Sequence, residues 1–358
     1  MKTPKFTHSS SSFSEEMKAR IQEYFQSTGK AKTGNFQLWG KALILISSWI
    51  LVYVHLVFFT PSSNWQGILE CVLLGGLTAS IGFNVMHDGA HGSFSKYPIM
   101  NKAAAVTLCF LGGSHFMWNV KHNIIHHAYT NIDGIDDDID ARPFLRMAPT
   151  QKNHPLYKYQ HIYFWFFYCW LHLFWIFFSD FKKYFSRKVG DVPIKKMSFM
   201  DHFWFWAYKV VSYSLFLVVP MFTVGVWATL IGFFTMTFVA GFVISIIFQL
   251  AHTVEHTHFP MPNVVTAKME DEWTIHQIKT TANFATRNPV ISWLVGGLNF
   301  QIEHHLFPKI SHIHYPAISR IIRQVCSEYG VVYVEYPRLH QAVASHVMFL
   351  KRMGRAVA

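Results

Sequence analysis

Three groups of histidines are spaced so as to gather imidazoles: His87-Asp-Gly-Ala-His91, His122-Asn-Ile-Ile-His126-His127 and Gln301-Ile-Glu-His304-His305. On a helix, residues four apart share a face, so His87 with His91, and His122 with His126, can each present two imidazoles to one point. Adjacent residues are about 100° apart around the axis, so His126 and His127 do not easily serve one ion, nor do His304 and His305. The H-H pairs therefore point to two metals lying side by side, each pair divided between them. A fourth element, Gln249-Leu-Ala-His252-Thr-Val-Glu255-His256-Thr-His258, closes an apolar block. His252 reads as a further ligand, and His256, four residues on, as either a ligand or a neighbour of one. Asp88 and Glu303 sit inside the motifs and are expected to support ligands rather than bind. Gln301 lies one turn before His305, where its amide could reach a metal directly or through water, or make a structural hydrogen bond.

Imidazole suits Fe, Cu, Zn and Ni, and spacing alone does not choose among them. Seven or eight histidines exceed what one zinc needs. The acidic run Asp133, Asp136, Asp137, Asp138 and Asp140 lacks the ligand positions of a calcium loop, and reads equally as support for the histidines or as a solvated loop. Motifs gathered at the mouth of a membrane helix bundle favour apolar, lipid-derived substrates, and so redox attack on a hydrocarbon chain.

The elements that must position these residues are membrane helices. The chain has 358 residues, 51% hydrophobic, 17% aromatic and only 14% charged, which excludes a disordered chain and a small disulfide scaffold. Its four cysteines are far apart. The net charge of +11 flanks apolar blocks instead of interleaving with exposed aromatics, which argues for a lipid bilayer and against nucleic acid. Five stretches approach the roughly 20 residues a crossing needs: 42–60, 66–86, 161–178, 203–222 and about 225–248. The stretch 103–120 reads as a partly immersed or buried helix. Lys18, Arg20, Lys30, Lys32 and Lys41 precede the first stretch, and a second basic cluster spans 182–196; both are expected to be cytoplasmic. If 161–178 also crossed, the histidines after residue 250 would face away from those near 87 and 122. That stretch, with Trp165, Trp170 and Trp175, is therefore expected to be interfacial. The expected fold is all-α and integral to the membrane. Four transmembrane helices form two hairpins, with an interfacial helix and a cytoplasmic helical cap holding a dimetal site. The expected divisions are a polar tail over 1–41 with a serine run at 9–12, a membrane domain over 42–308, and a C-terminal cap over 309–358.

At these motifs the sequence resembles the membrane fatty acid desaturases, the histidine-box di-iron family, from about residue 40 to 345. Gln301-Ile-Glu-His304-His305-Leu-Phe-Pro is similar to the third box of the front-end subgroup, and HDGAHGSF, HNIIHHAYTNIDGIDDDI and QLAHTVEHTHFP fit the same family. The resemblance implies that His87, His91, His122, His126, His127, His304 and His305 ligate two irons, with His252 as the additional ligand, and that O2 is the co-substrate. It also implies a cis double bond inserted into a fatty acyl chain, carried as acyl-CoA or membrane lipid, on the carboxyl side of an existing one. No H-P-G-G motif of a fused haem domain occurs in these residues, so electrons are expected from a separate donor, a ferredoxin or a small cytochrome with its reductase. The expected location is a bacterial cytoplasmic membrane, with the site on the cytoplasmic side. Two other readings stay open: a lipid hydroxylase of the same metal class, and a metal transporter, whose ligands should lie within the spans rather than beyond them.

Overall fold

The computed structural model describes residues 4–6 and 11–356; Ser9 and Ser10 of the serine run lie outside the described residues. Among the described residues the fold is mostly helical, and five helices are long and apolar enough to cross a membrane. They are α2 (Phe36–Phe59), α3 (Asn64–His91), α6 (Pro155–Ser186), α7 (Phe199–Thr223) and α8 (Val226–His252). Between them come the shorter apolar α4 (Pro98–Leu111) and a helical run over 115–129, α5, separated by the Gly112-Gly113 break that the 103–120 stretch carries. Local chemistry sets the starts. Asn35 and Ser63 accept from the backbone N–H of Gln37 and Gln66, and Ser198 forms a capping box with Asp201 at the start of α7.

α8 is the central helix, packed between α3 and α6. The close approach rests on two glycines. A Cβ on Gly75 of α3 would lie 2.5 Å from the Met236 carbonyl oxygen, and one on Gly241 of α8 would lie 2.5 Å from that of Cys169. Both ends of α6 are tied to segments outside the long helices. At its start Gln160 donates to the carbonyls of Arg146 and Leu350, at 3.0 and 2.8 Å. Near its end Lys183 pairs with Asp137 at 2.8 Å, and the two-residue antiparallel pair that follows, Lys188–Val189 with Val192–Pro193, buries Val189 beside Ile132 and Ile135.

The remaining helices cover the histidine end. They are α1 (Ser12–Thr28), α9 (Trp273–Thr280), α10 (Gln301–Leu306), α11 (Tyr315–Glu328) and α12 (Leu339–Arg355). α1, within the segment read as a polar tail, repeats an apolar residue every fourth position, Phe13, Met17, Ile21 and Phe25, and buries all four against Ile318, Ile322 and Val325 of α11. Arg20 ties the two with a bidentate pair to Glu328 at 2.9 and 2.5 Å. A short parallel pairing of Asn283–Phe284 with Glu335–Tyr336 anchors the link to α12.

Gly241→Leu is expected to wedge α8 from α6 and cost about 1–3 kcal/mol or more. The check is thermal unfolding of the purified protein in detergent, where Gly76→Leu, at a glycine with open space around it, should shift the midpoint far less.

Candidate metal centre

The histidines converge from four directions. α3 ends in a wide π-type turn over Gly82–Met86 and then delivers His87 and His91, whose rings lie 4.6 Å apart. α5 supplies His122, His126 and His127; the C-terminal end of α8 supplies His252; and α10 supplies His304 and His305. One nitrogen each of His87, His91, His122 and His304 lie mutually within 4.8 Å, and the same holds for His126, His252 and His305. The adjacent pair His304 and His305 is thus divided between the two groups. His127 sits between them: its Nε2 is 3.3 Å from Nε2 of His122, and its ring centroid is 4.5 Å from that of His305.

The expected pairing of His122 with His126 is present although Asn119–His126 is wound as a π-helix: their rings stack 5.2 Å apart, and one nitrogen of each lies with a carboxylate oxygen of Asp138 in a further group mutually within 4.8 Å. The same winding also brings His122 beside His127, five residues on. His256 is not brought in. α8 ends at His252, the chain turns through a left-handed φ of 74° at His256, and that side chain is exposed. Gln301 is buried on α10 one turn before His305.

The outer ring nitrogens are held, which aims the inner ones. Nδ1–H of His126 donates to both oxygens of Asp136 at 3.1 Å, with Asp138 at 3.3 Å. Nδ1–H of His305 donates to Gln277 Oε1 at 2.8 Å, and that of His252 to the Thr280 carbonyl at 3.3 Å. The Tyr315 hydroxyl lies 3.1 Å from Nδ1 of His304. Asn131, in the left-handed conformation that asparagine tolerates, donates its amide to the carbonyls of His252, His258 and Thr280, so it locks the end of α8 to α9. Asp88 and Glu303 act one layer out. Asp88 accepts from Ser311 and His312 at 2.9 and 3.0 Å. Glu303 accepts from Asn283 and Tyr333 at 2.7 and 2.8 Å, and burial pushes it up to about 7 against those bonds. Of the acidic run, Asp136 and Asp138 serve His126, whereas Asp137 pairs with Lys183, and Asp133 and Asp140 bond to neighbours away from the histidines.

The donor set fits metal ions. The inner Nε2 atoms of His91, His126, His252, His304 and His305 are buried with no hydrogen-bond partner among the described residues. Burial, reinforced by the neighbouring rings, pushes His122, His127, His304 and His305 well below the ordinary histidine value, which leaves them neutral with lone pairs available. Burial also lowers His126, but Asp136 and Asp138 outweigh it and raise the net value. A nitrogen bound at roughly 2.1 Å puts opposite ligands about 4.2 Å apart, so each group is the size of one ion's coordination shell. Gln277, Tyr315, Asn131 and Thr280 carry no spacing signal that sequence reading could use. Only the position of Asn131, just after the second motif, hinted at its role.

A cavity of about 700 Å³ opens beside this cluster. His122, Trp118, Lys121 and Asp138 line its metal end, and mostly aromatic and aliphatic side chains of α6 and α8 line the rest, with Arg142, Asp180 and Lys183 among the charged residues on its wall. The Trp118 ring stacks on His122 at 4.6 Å.

Residues 63–337 match the family model described as fatty acid desaturase. The chain is 36% identical, over 96% of both lengths, to the sn-1 linoleoyl-lipid 6-desaturase of Synechocystis sp.. It is 35% identical to the enzyme of that name from Arthrospira platensis, over 96% of this chain and 92% of that one. It is 33% identical to an acyl-lipid (8-3)-desaturase of Physcomitrium patens, over 94% of this chain and 71% of that one.

Tyr315→Phe keeps the packing and removes the bond to His304, so metal retention is expected to fall roughly tenfold or more with the fold intact. Metal bound per chain, titrated against a chelator, is the check; retention equal to that of the unaltered protein would contradict the role given to Tyr315.

Proposed function

Because this chain belongs to the fatty acid desaturase family, it is an oxidoreductase that desaturates fatty acyl chains, and we propose that it does so with two irons and O2, on the carboxyl side of an existing double bond. The observation that carries the metal reading is the pair of imidazole groups whose buried inner nitrogens are unpartnered. His87, His91, His122, His127 and His304 hold one iron in this reading, and His126, His252 and His305 the other. The bound pair supplies activation of O2 strong enough to remove hydrogen from two adjacent methylenes. The balance is one acyl CH2–CH2, O2, two electrons and two protons giving CH=CH and two waters.

The chain's own residues do the rest. Asp136, Gln277, Tyr315 and Thr280 fix the ring orientations. The apolar cavity starting at His122 and Trp118 takes the acyl chain and excludes water. Phe166, Phe174 and Phe178 line that cavity from α6 and are also exposed, which supports lateral entry from lipid. With relatives named for linoleoyl lipids, a lipid-linked linoleoyl chain is the substrate proposed first. Electrons come from a separate one-electron carrier, a ferredoxin or small cytochrome, whose acidic surface would be steered by a basic face.

We also propose that four of the five long helices cross and that α6 returns to the side it left. What supports this is the contact of both its ends with segments that pack at the histidine end, through Gln160 with Arg146 and with Leu350 of α12, and through Lys183 with Asp137, next to the Asp136 and Asp138 that face His126. The basic clusters before α2 and over 182–196 then share the cytoplasmic side of a bacterial membrane with the metal centre. Residues 309–358 act as its cap.

Expressed in a host without polyunsaturates and fed linoleate, the chain is expected to yield a double bond nearer the carboxyl end, which His304→Ala abolishes. A hydroxylated product, or an iron count well below two per purified chain, would overturn this reading. A cysteine placed at Gly190 is expected to react only with membrane-permeant reagents; labelling from outside an intact cell would refute the four-crossing topology.

A further inference from the structure

Two cavities lie on opposite faces of the first half of α8. One is the cavity assigned above to the acyl chain, which reaches Leu230 and Phe234. The other, about 680 Å³, lies at the end of the bundle away from the histidines, among Thr60, Pro61, Cys71, Phe216, Pro220 and Ala228. Phe233 is the one described residue that lines both. It is 7% exposed. Its ring is flanked by one from each side: Phe177 of the acyl cavity at 6.2 Å and Phe216 of the far cavity at 6.5 Å, centroid to centroid. What separates the two spaces here is a side chain, which substitution can remove without moving backbone.

We infer that Phe233 is the partition that sets how long an acyl chain this enzyme accepts, and that its ring is what separates the acyl cavity from the far cavity. The inference rests on reading the larger cavity as the acyl site. Phe248, whose ring is 5.9 Å from His122, and Phe233 are fifteen residues apart on α8. At 1.5 Å per residue the run from metal to partition is about 22 Å, which takes in most of the hydrocarbon core of one bilayer. A methyl end that reaches Phe233 must stop or bend. With the ring cut back, the chain continues into a space of similar volume, lined largely by apolar residues.

The test uses purified holoenzyme and glycerolipids bearing eighteen-carbon and twenty-six-carbon polyunsaturated chains in competition, because only the longer reaches past about 22 Å beyond the reacting carbons. Phe233→Ala is expected to raise the ratio of long-chain to short-chain turnover roughly tenfold or more, since each methylene admitted to or refused by an apolar pocket is worth about that much. Adding Ala228→Phe, which refills the far cavity, should reverse the gain, a response that mere loosening of the bundle would not give. An unchanged ratio in Phe233→Ala protein that holds its full iron complement overturns the inference. If that variant cannot be recovered, Phe233→Leu carries the same test with the same overturning result. Ile244→Trp, placed to block the acyl cavity midway, separates the two readings. Turnover surviving in Ile244→Trp would sink the acyl-cavity assignment itself, whereas turnover lost there with an unmoved ratio at Phe233 would sink the partition alone.

Discussion

The rest of the structure depends on a set of buried ring nitrogens that have nothing of their own to bond. Five inner Nε2 atoms, those of His91, His126, His252, His304 and His305, are in this condition. Such nitrogens keep their aim only where the surrounding protein holds each ring from behind. It does so through the opposite nitrogens. Asp136, Gln277, Tyr315 and the Thr280 carbonyl come from three separate segments, and each fixes one ring. Those segments are in turn locked together: the Asn131 amide alone joins the end of α8, the loop at His258 and the end of α9. The cap helices are not an accessory to this arrangement, because Tyr315 opens α11 and His312, just before it, holds Asp88 beside His87.

Much of the site is legible in the chain because metal ligation needs a rare residue type at short, helical spacings. His87 with His91 and the split of His304 from His305 follow directly from helix geometry. The pairing of His122 with His126 holds as well, even though that segment is wound as a π-helix that also sets His127 beside His122. His256 failed for one reason: periodicity was extended past the point where the helix stops. The orienting residues were invisible for a different one. Gln277 and Tyr315 are ordinary residues whose role exists only once distant segments meet. On the fold, the five long apolar helices were legible from composition, whereas α1 was hidden in a polar segment whose buried stripe is a single large apolar residue at every fourth position.

α8 joins the two halves of the problem. It carries His252 at one end, Phe248 beside the metal cluster, and Phe233 near the far end of the acyl cavity. Glycine notches on α3 and on α8 itself hold it close to both neighbours, so it is poorly placed to slide. One nearly rigid helix therefore sets the distance between the chemistry and the end of the channel. That distance limits chain length, but it does not by itself choose the carbon pair. An acyl chain shorter than the channel has slack at its methyl end, and its position over the metals is then fixed from the head, where Lys121, Asp138 and Arg142 line the mouth. Double-bond placement counted from the carboxyl end is what such an arrangement delivers. Length and position are thus governed by opposite ends of one cavity, and either can change through substitution without the other.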